Sequence, residues 1–355
     1  MAPSSKIDLR DEPGAERALG RQADKPTEIP AKGWKAVLKR TKLQVKQDNV
    51  SILAAGVAFF LLLALAPAMV AALSIYGLVS EPEDAARHIE EMGTALPPDA
   101  RDLISQQLET ATSASGGKLG LSLIISIAAA LWSASKGAKS LIETINVAFD
   151  EDETRGFVKL RAMSLLFTVA FVAALLVAIG VIAVLPVLGD TLGSAGDLMV
   201  TVLRWPLLAV LMIVGLAILY RYAPDRDEPK WSWVSHGAVV ATVIWLIGSG
   251  IFGLYVNRFG KFGETYGTMG AVVVLMLWLY LTAFCILIGA EMNAESERQT
   301  RRDTTGGREK PLGRRAAYAA DTVGEADPKK PSKTIDGSSG RDRPKDVAKA
   351  EKSRR

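Results

Sequence analysis

The sequence predicts an all-α, polytopic membrane protein: six transmembrane helices, an amphipathic helical hairpin between the first and second, and disordered basic termini. Three observations predict it. Of 355 residues, 49% are hydrophobic; the apolar residues gather in long blocks; and most of the positive charge sits near the two ends. A run of about 18 or more apolar residues can cross a hydrocarbon core of roughly 30 Å as a helix, which satisfies its own backbone hydrogen bonds.

Six segments pass that test: Val50–Val79, Leu119–Ser135, Ala162–Gly189, Met199–Tyr220, Gly237–Val256 and Thr265–Ala290. The first contains Pro67, where a tilt or kink is expected. The second is short, and becomes long enough only if its helix continues past Ser135. The fourth carries Arg204 near one end, from which a long side chain can snorkel to the headgroups. No signal peptide is expected, because the first hydrophobic run follows a polar stretch and is too long for an h-region. These segments define a membrane domain over 32–298, between tails at 1–31 and 299–355.

Lysines and arginines set the orientation, since short basic loops resist translocation. Basic residues precede the first span (Lys32, Lys35, Lys39, Arg40, Lys42, Lys46), lie between spans two and three (Lys136, Lys139, Arg155, Lys159, Arg161) and between four and five (Arg221, Arg226, Lys230), and follow the sixth (Arg298, Arg301, Arg302). In a six-span chain all four regions share one side. Both termini are therefore expected in the cytoplasm. Residues 1–47 hold 11 basic and 6 acidic side chains, and 298–355 hold 17 and 9, against a total of +4. Such tails read as disorder and as attraction to anionic lipid at the cytoplasmic face. Nucleic acid is not an expected partner, because no aromatic residues interleave with the basic ones as a base-stacking surface needs.

The loop 80–118 is too long to lack structure of its own. Ser80 and Glu83 form a capping box, Ala85, Ile89, Met92 and Leu96 follow at helical spacing, and a second helix after Pro97-Pro98 aligns Leu103, Ile104 and Leu108. Two amphipathic helices result. They either cover the outer mouth of the bundle or lie as an interfacial hairpin with no gating role.

In the stretch "ALWSASKGAKSLIETINVAF", Trp132, Lys136, Lys139, Glu143 and Asn146 share one helical face, opposite the small and apolar Ala134, Ala138, Leu141, Ile142 and Ile145. Two readings stand. Lys136 and Lys139 snorkel to lipid phosphates while Lys139 pairs with Glu143; or Lys136 faces a cavity in the bundle, near Ser133, Ser135 and Ser140, and meets an anionic group. Glu291 closes the last span, where the negative end of the helix dipole disfavours a carboxylate. Lys136, or an arginine of the loop after Asp152, is its expected partner. Lys136, Lys139, Glu143 and Glu291 are the substrate or gate candidates. Pro67, Gly263, Gly267, Gly270, Asn257 and Tyr266 are the packing or hinge candidates, since glycines permit close helix approach and Asn257 and Tyr266 bracket the short outer loop.

The stretches "DNVSILAAGVAFFLLLALAPAMVAALSIYG" (48–77), "LWSASKGAKSLIETINVAFDEDETRGFVKLR" (131–161), "LYRYAPD" (219–225) and "YGTMGAVVVLMLWLYLTAFCILIGAEMNA" (266–294) resemble the YihY/BrkB family of bacterial inner-membrane proteins, once named ribonuclease BN. The resemblance covers roughly residues 30–298. It implies a six-helix plasma-membrane protein concerned with transport or envelope maintenance, and it supplies no catalytic residues. Where the family tends toward an aromatic pair followed by a serine before the proline, this chain keeps Phe59-Phe60 but has Ala64 and Ala66.

A metal-dependent nuclease needs clustered histidines and carboxylates, and the chain has only His88 and His236, on opposite sides by this topology. No Walker-type loop and no Gly-x-Ser-x-Gly elbow is present. Cys285 stands alone and reads as a packing residue. The expectation is a non-enzymatic transporter or flippase-like protein for an anionic or amphiphilic substrate, without metal or cofactor. The alternative is a structural envelope protein recruiting partners through its basic tails. A homo-oligomer is compatible with either.

Overall fold

The computed structural model describes residues 13–79, 117–191, 193–259 and 268–326. The described residues are helical, with an isolated β-bridge between Pro229 and Thr305. A short α1 (Pro13–Leu19) and one 3-10 turn lead into α2 (Ala31–Gln47). Six helices of 29 to 35 residues follow: α3 (Val50–Val79), α4 (Gly117–Ala148), α5 (Phe157–Thr191), α6 (Gly193–Tyr222), α7 (Trp231–Phe259) and α8 (Thr268–Glu297). A one-turn α9 (Tyr318–Asp321) comes last.

The long helices form a closed ring. Each packs on its chain neighbour from α3 round to α8, and α8 closes onto α3. The buried core is small and aliphatic, with Ala54, Val57, Ile142, Ala217, Ala241, Ala283 and Leu287 at its centre. The outside is apolar: Leu166 is 67% exposed, Ile251 62% and Val158 78%. An apolar exterior around a small-residue core is what lipid requires of a helix bundle. Segments of α5, α6, α7 and α8 are long and apolar enough to cross a membrane, and a fifth span results if α2 and α3 count as one bent unit. The chain is thus a multi-pass helical membrane protein. Helix α4 is not among those segments; its described apolar stretch ends at Lys136.

Pro67 lies inside α3, and a sharp bend stands between α2 and α3, which meet at 63°. Asn49 makes that turn with φ of 52°, in the left-handed region that asparagine tolerates. Helix α4 ends similarly. Asp150 takes φ of 57°, Asp150 N–H reaches the Val147 carbonyl and Glu151 N–H reaches that of Asn146, the paired bonds of a Schellman stop.

Two glycines set how closely α7 and α8 approach. A Cβ on Gly237 would strike the Gly289 carbonyl and Asn293, and one on Gly289 would strike the Tyr220 hydroxyl and the Gly237 carbonyl. Tyr220 donates to the Ile286 carbonyl across this gap at 2.7 Å. Among the other glycines of α7, Gly248 touches Leu281, whereas Gly250 and Gly253 face open space.

The largest departure from expectation concerns the tails. Residues 299–326 are not disordered: they fold across the end of the bundle where α4, α6 and α8 finish. Asp303, Thr304, Thr305, Arg315, Ala317, Ala319 and Ala320 are all buried there. The first tail joins them, because Arg21 donates to the carbonyls of Gln299 and Gly324. Backbone polar groups that would otherwise be orphaned are satisfied by these long-range partners. The hairpin expected over 80–118 lies outside the described residues, as do Gly263, Tyr266 and Gly267.

Candidate functional site

Of the four charged candidates, the structure brings three together. Lys136, Lys139 and Glu143 line one recess of about 410 Å³ with Ser140 of the same helix, Phe60 of α3, and Phe157 and Arg161 of α5. Beside it Gly137 lets α4 and α3 approach closely; a Cβ there would meet Leu61 and Ala64 side chains within 3.4 Å. The neighbouring Lys136 is thereby held beside α3, at the edge of the bundle.

Within the recess the charges are unequal. Lys139 pairs with Glu143 one turn on, at 2.9 Å and half-exposed, a contact worth a few tenths of a kcal/mol. Lys136 has no acidic partner among the described residues. Arg161 was not among the sequence candidates. It is 8% exposed, donates Nη2 to the Trp132 carbonyl at 2.6 Å and stacks on the Trp132 ring at 3.9 Å. Its Nε is buried without a partner, and it forms no ion pair among the described residues. With Lys139 neutralised, the recess holds two uncompensated cations. Arg161 lies in the second turn of α5, on the helix that packs against α4.

Asn146, expected on the same face, is buried and serves the fold. It donates to Glu153 at 2.9 Å and accepts from the Asp225 N–H at 2.8 Å, tying the loop after α4 to the loop after α6. Ser135 is also buried, its hydroxyl donating to the Trp132 carbonyl at 2.7 Å.

Glu291 stands apart. It is 1% exposed, and neither carboxylate oxygen has a hydrogen-bond partner. The expected pairing with Lys136 or a loop arginine does not form; its charged neighbours include Asp48, Asp150 and Glu295. The acids one and two turns later are the partnered ones. Glu295 binds Arg40 and Arg298, and Glu297 binds Arg226 at 2.6 Å with both side chains fully buried. Arg226 also lies over Phe149, at 4.8 Å. The run "EMNAESE", three acids in two turns at a helix C-terminus, was the overlooked sign of a buried network.

Of the packing candidates, Pro67 lies within α3, Gly270 is buried in α8, and Asn257 belongs to the last turn of α7 instead of a loop. His236 is half-buried, stacks near Trp34 of α2 at 6.1 Å and bonds the Ser232 carbonyl, so its ring is engaged in the α2–α7 contact. No group of three or more His, Cys, Asp or Glu stands close enough to share a metal ion among the described residues.

Outside the apolar helices, Glu151 accepts the Tyr318 N–H at 2.6 Å and so anchors α9. Burial pushes its carboxyl up to about 7, against the Tyr318 bond and the nearby Arg226 charge.

The sequence profile of the family described as virulence factor BrkB matches residues 42–313. The chain belongs to the BrkB family. The match reaches from α2 to the segment folded across the bundle's end, so that segment lies within the family's extent. Among BrkB relatives, a ribonuclease-like protein, YfkH of Bacillus subtilis, is 34% identical over 251 residues, 68% of this chain and 87% of that protein. A UPF0761 membrane protein of Kangiella koreensis is 24% identical over 264 residues, 73% of this chain and 63% of that protein. A UPF0761 membrane protein of Tolumonas auensis is 31% identical over 85 residues, 24% of this chain and 28% of that protein. No solved structure matches.

Proposed function

We propose that this BrkB-family chain is a transporter or flippase-like protein of the bacterial inner membrane, with six spans and both termini in the cytoplasm, acting on an anionic or amphiphilic substrate. One observation carries the reading: Lys136 and Arg161 stand uncompensated in a recess at the flank of a helical bundle. Charge kept without a partner beside lipid is costly to hold, and such positions mark pathways more often than scaffolding. The recess sits one to three turns in from the α4–α5 loop, at the depth where a span enters the headgroup region. The basic loops lie on that side, which supports the cytoplasmic assignment.

The ribonuclease-like name belongs to the Bacillus relative. Among the described residues no cluster of His, Cys, Asp or Glu stands as a metal site to support it here.

The test is reconstitution in proteoliposomes with a fluorescent anionic lipid analogue or a radiolabelled organic anion. Wild type should move one of them across the bilayer, and Lys136→Ala should lose most of that flux while remaining folded. Unchanged flux in the folded variant would remove the gate role from this face. The structural envelope alternative is separated by truncation, and the cut must follow residue 326, because removal of 299–326 would strip buried groups from the body.

A further inference from the structure

Resting on the reading of the recess as the substrate's entry point, we infer that it binds the phosphate group of an anionic membrane lipid, with Arg161 and Lys136 as the two cations that hold it. Three features of the site carry this.

The first is chemical. Arg161 keeps an unpartnered buried Nε, with its plane fixed by the Trp132 ring and carbonyl. A guanidinium held flat, with donors left over, suits an oxyanion that takes two hydrogen bonds at once. Lys136 contributes a mobile point charge from its exposed position, and Ser140 supplies a hydroxyl from the same wall.

The second is charge balance. Lys139 and Glu143 cancel one another. Lys136 and Arg161 remain, matching the one to two negative charges of a phosphate ester.

The third is surroundings, which favour a lipid over a free ion. Phe60 and Phe157 form the apolar part of the lining. Phe157 is 73% exposed and Phe60 40%, and Trp132, which carries the Arg161 guanidinium on its ring, is 49% exposed. Aromatic rings at that depth sit where headgroup meets acyl chain, so a phosphate reaching Arg161 brings its chains against Phe157 and Phe60. A free phosphate gains nothing from those side chains.

The experiment uses the full-length protein in detergent and follows its thermal midpoint against dioleoyl phosphatidylglycerol, dioleoyl phosphatidylcholine and inorganic phosphate, since a ligand of the folded state raises that midpoint by mass action. Phosphatidylglycerol should stabilise the wild type and phosphatidylcholine should not. Lys136→Gln, at an exposed position that leaves the fold intact, should raise the half-effective phosphatidylglycerol concentration by about tenfold, the size of one charge-assisted contact. Arg161→Gln should raise it further. Lys42→Gln, an exposed lysine of α2 outside the recess, should leave it unchanged.

Equal weakening by Lys42→Gln and Lys136→Gln would overturn the site in favour of general surface attraction. A full shift with inorganic phosphate alone would overturn the lipid assignment, and equal shifts with the two lipids, which carry the same phosphodiester, would overturn the selection for a net anionic headgroup. Movement across the bilayer is scored separately. Phosphatidylglycerol bound through Lys136 but not moved keeps this inference and removes transport; flux that persists while Lys136→Gln leaves lipid binding untouched removes the inference alone.

Discussion

The folded-over end of the bundle and the recess on its flank both gather basic and acidic side chains, yet they treat charge in opposite ways. At the end, Arg40, Arg226, Arg298 and Arg315 lie against Glu295, Glu297 and Asp303 with little or no solvent access. In the recess, Lys139 and Glu143 pair in the open, and Lys136 and Arg161 pair with nothing among the described residues. Buried partners commit a charge to structure; unpaired ones leave it available. Composition cannot separate the two, because what distinguishes them is where the counter-charge comes from.

Truncation should give the largest contrast. Ending the chain after residue 298 removes Asp303 and Arg315, takes the Gln299 and Gly324 carbonyls from Arg21 and the Asp303 carbonyl from Lys230, and strips the Thr304 hydroxyl from the buried Glu297. That protein should fail to yield a folded species in size-exclusion chromatography. Ending it after 326 should leave the thermal midpoint within a few degrees of the full chain, a loss of about 1 kcal/mol or less.

Glu297→Gln should cost about 3–5 kcal/mol, as removal of one partner leaves a buried charge alone. Glu291→Gln, one and a half turns earlier on the same helix, should stabilise, since it removes a buried acid that has no partner. Opposite signs in thermal unfolding of the two variants would show that pairing, not burial, separates these glutamates. Equal signs would break the distinction.

The long helices were legible because lipid demands a continuous apolar run, and a run is a local property. The folded-over end was not. Arg21 and Gly324, or Arg40 and Glu295, meet across hundreds of residues, and no periodicity records which distant group will satisfy a polar side chain. Residues 299–326 therefore read as a solvated tail although most of their buried residues are small or hydrogen-bonded. The recess was half legible. The spacing of Lys136, Lys139 and Glu143 put them on one face of α4, but Arg161 comes from the next helix and Asn146 is drawn off by Asp225 and Glu153.

A smaller effect follows from Glu151. Its folded carboxyl keeps its proton up to about pH 7, whereas in the unfolded chain it ionises near 4.5. The folded state binds more protons between those values, so stability is highest below the lower value and falls as pH rises toward the upper one. Thermal midpoints taken from pH 5 to 8 should decline and then level off. Glu151→Gln should flatten that part of the profile.

The smallest change belongs to the recess. Glu143→Gln removes a half-exposed pair and should shift stability by less than about 0.5 kcal/mol, within the error of most unfolding measurements. Its effect should appear in lipid binding instead, as Lys139 becomes a third free cation and tightens phosphatidylglycerol. Weaker binding in that variant would assign Glu143 a direct part in holding the ligand.

Arg40 reaches Glu295 across 255 residues of chain, and this has a bearing on biosynthesis. At about 5–20 residues per second on the ribosome, α2 is made roughly 13–50 s before its counter-ion exists. Throughout that interval a guanidinium destined for burial must remain hydrated or be shielded by lipid headgroups. The nascent bundle therefore enters the bilayer with this end open, and it can seal only after the last helix has emerged.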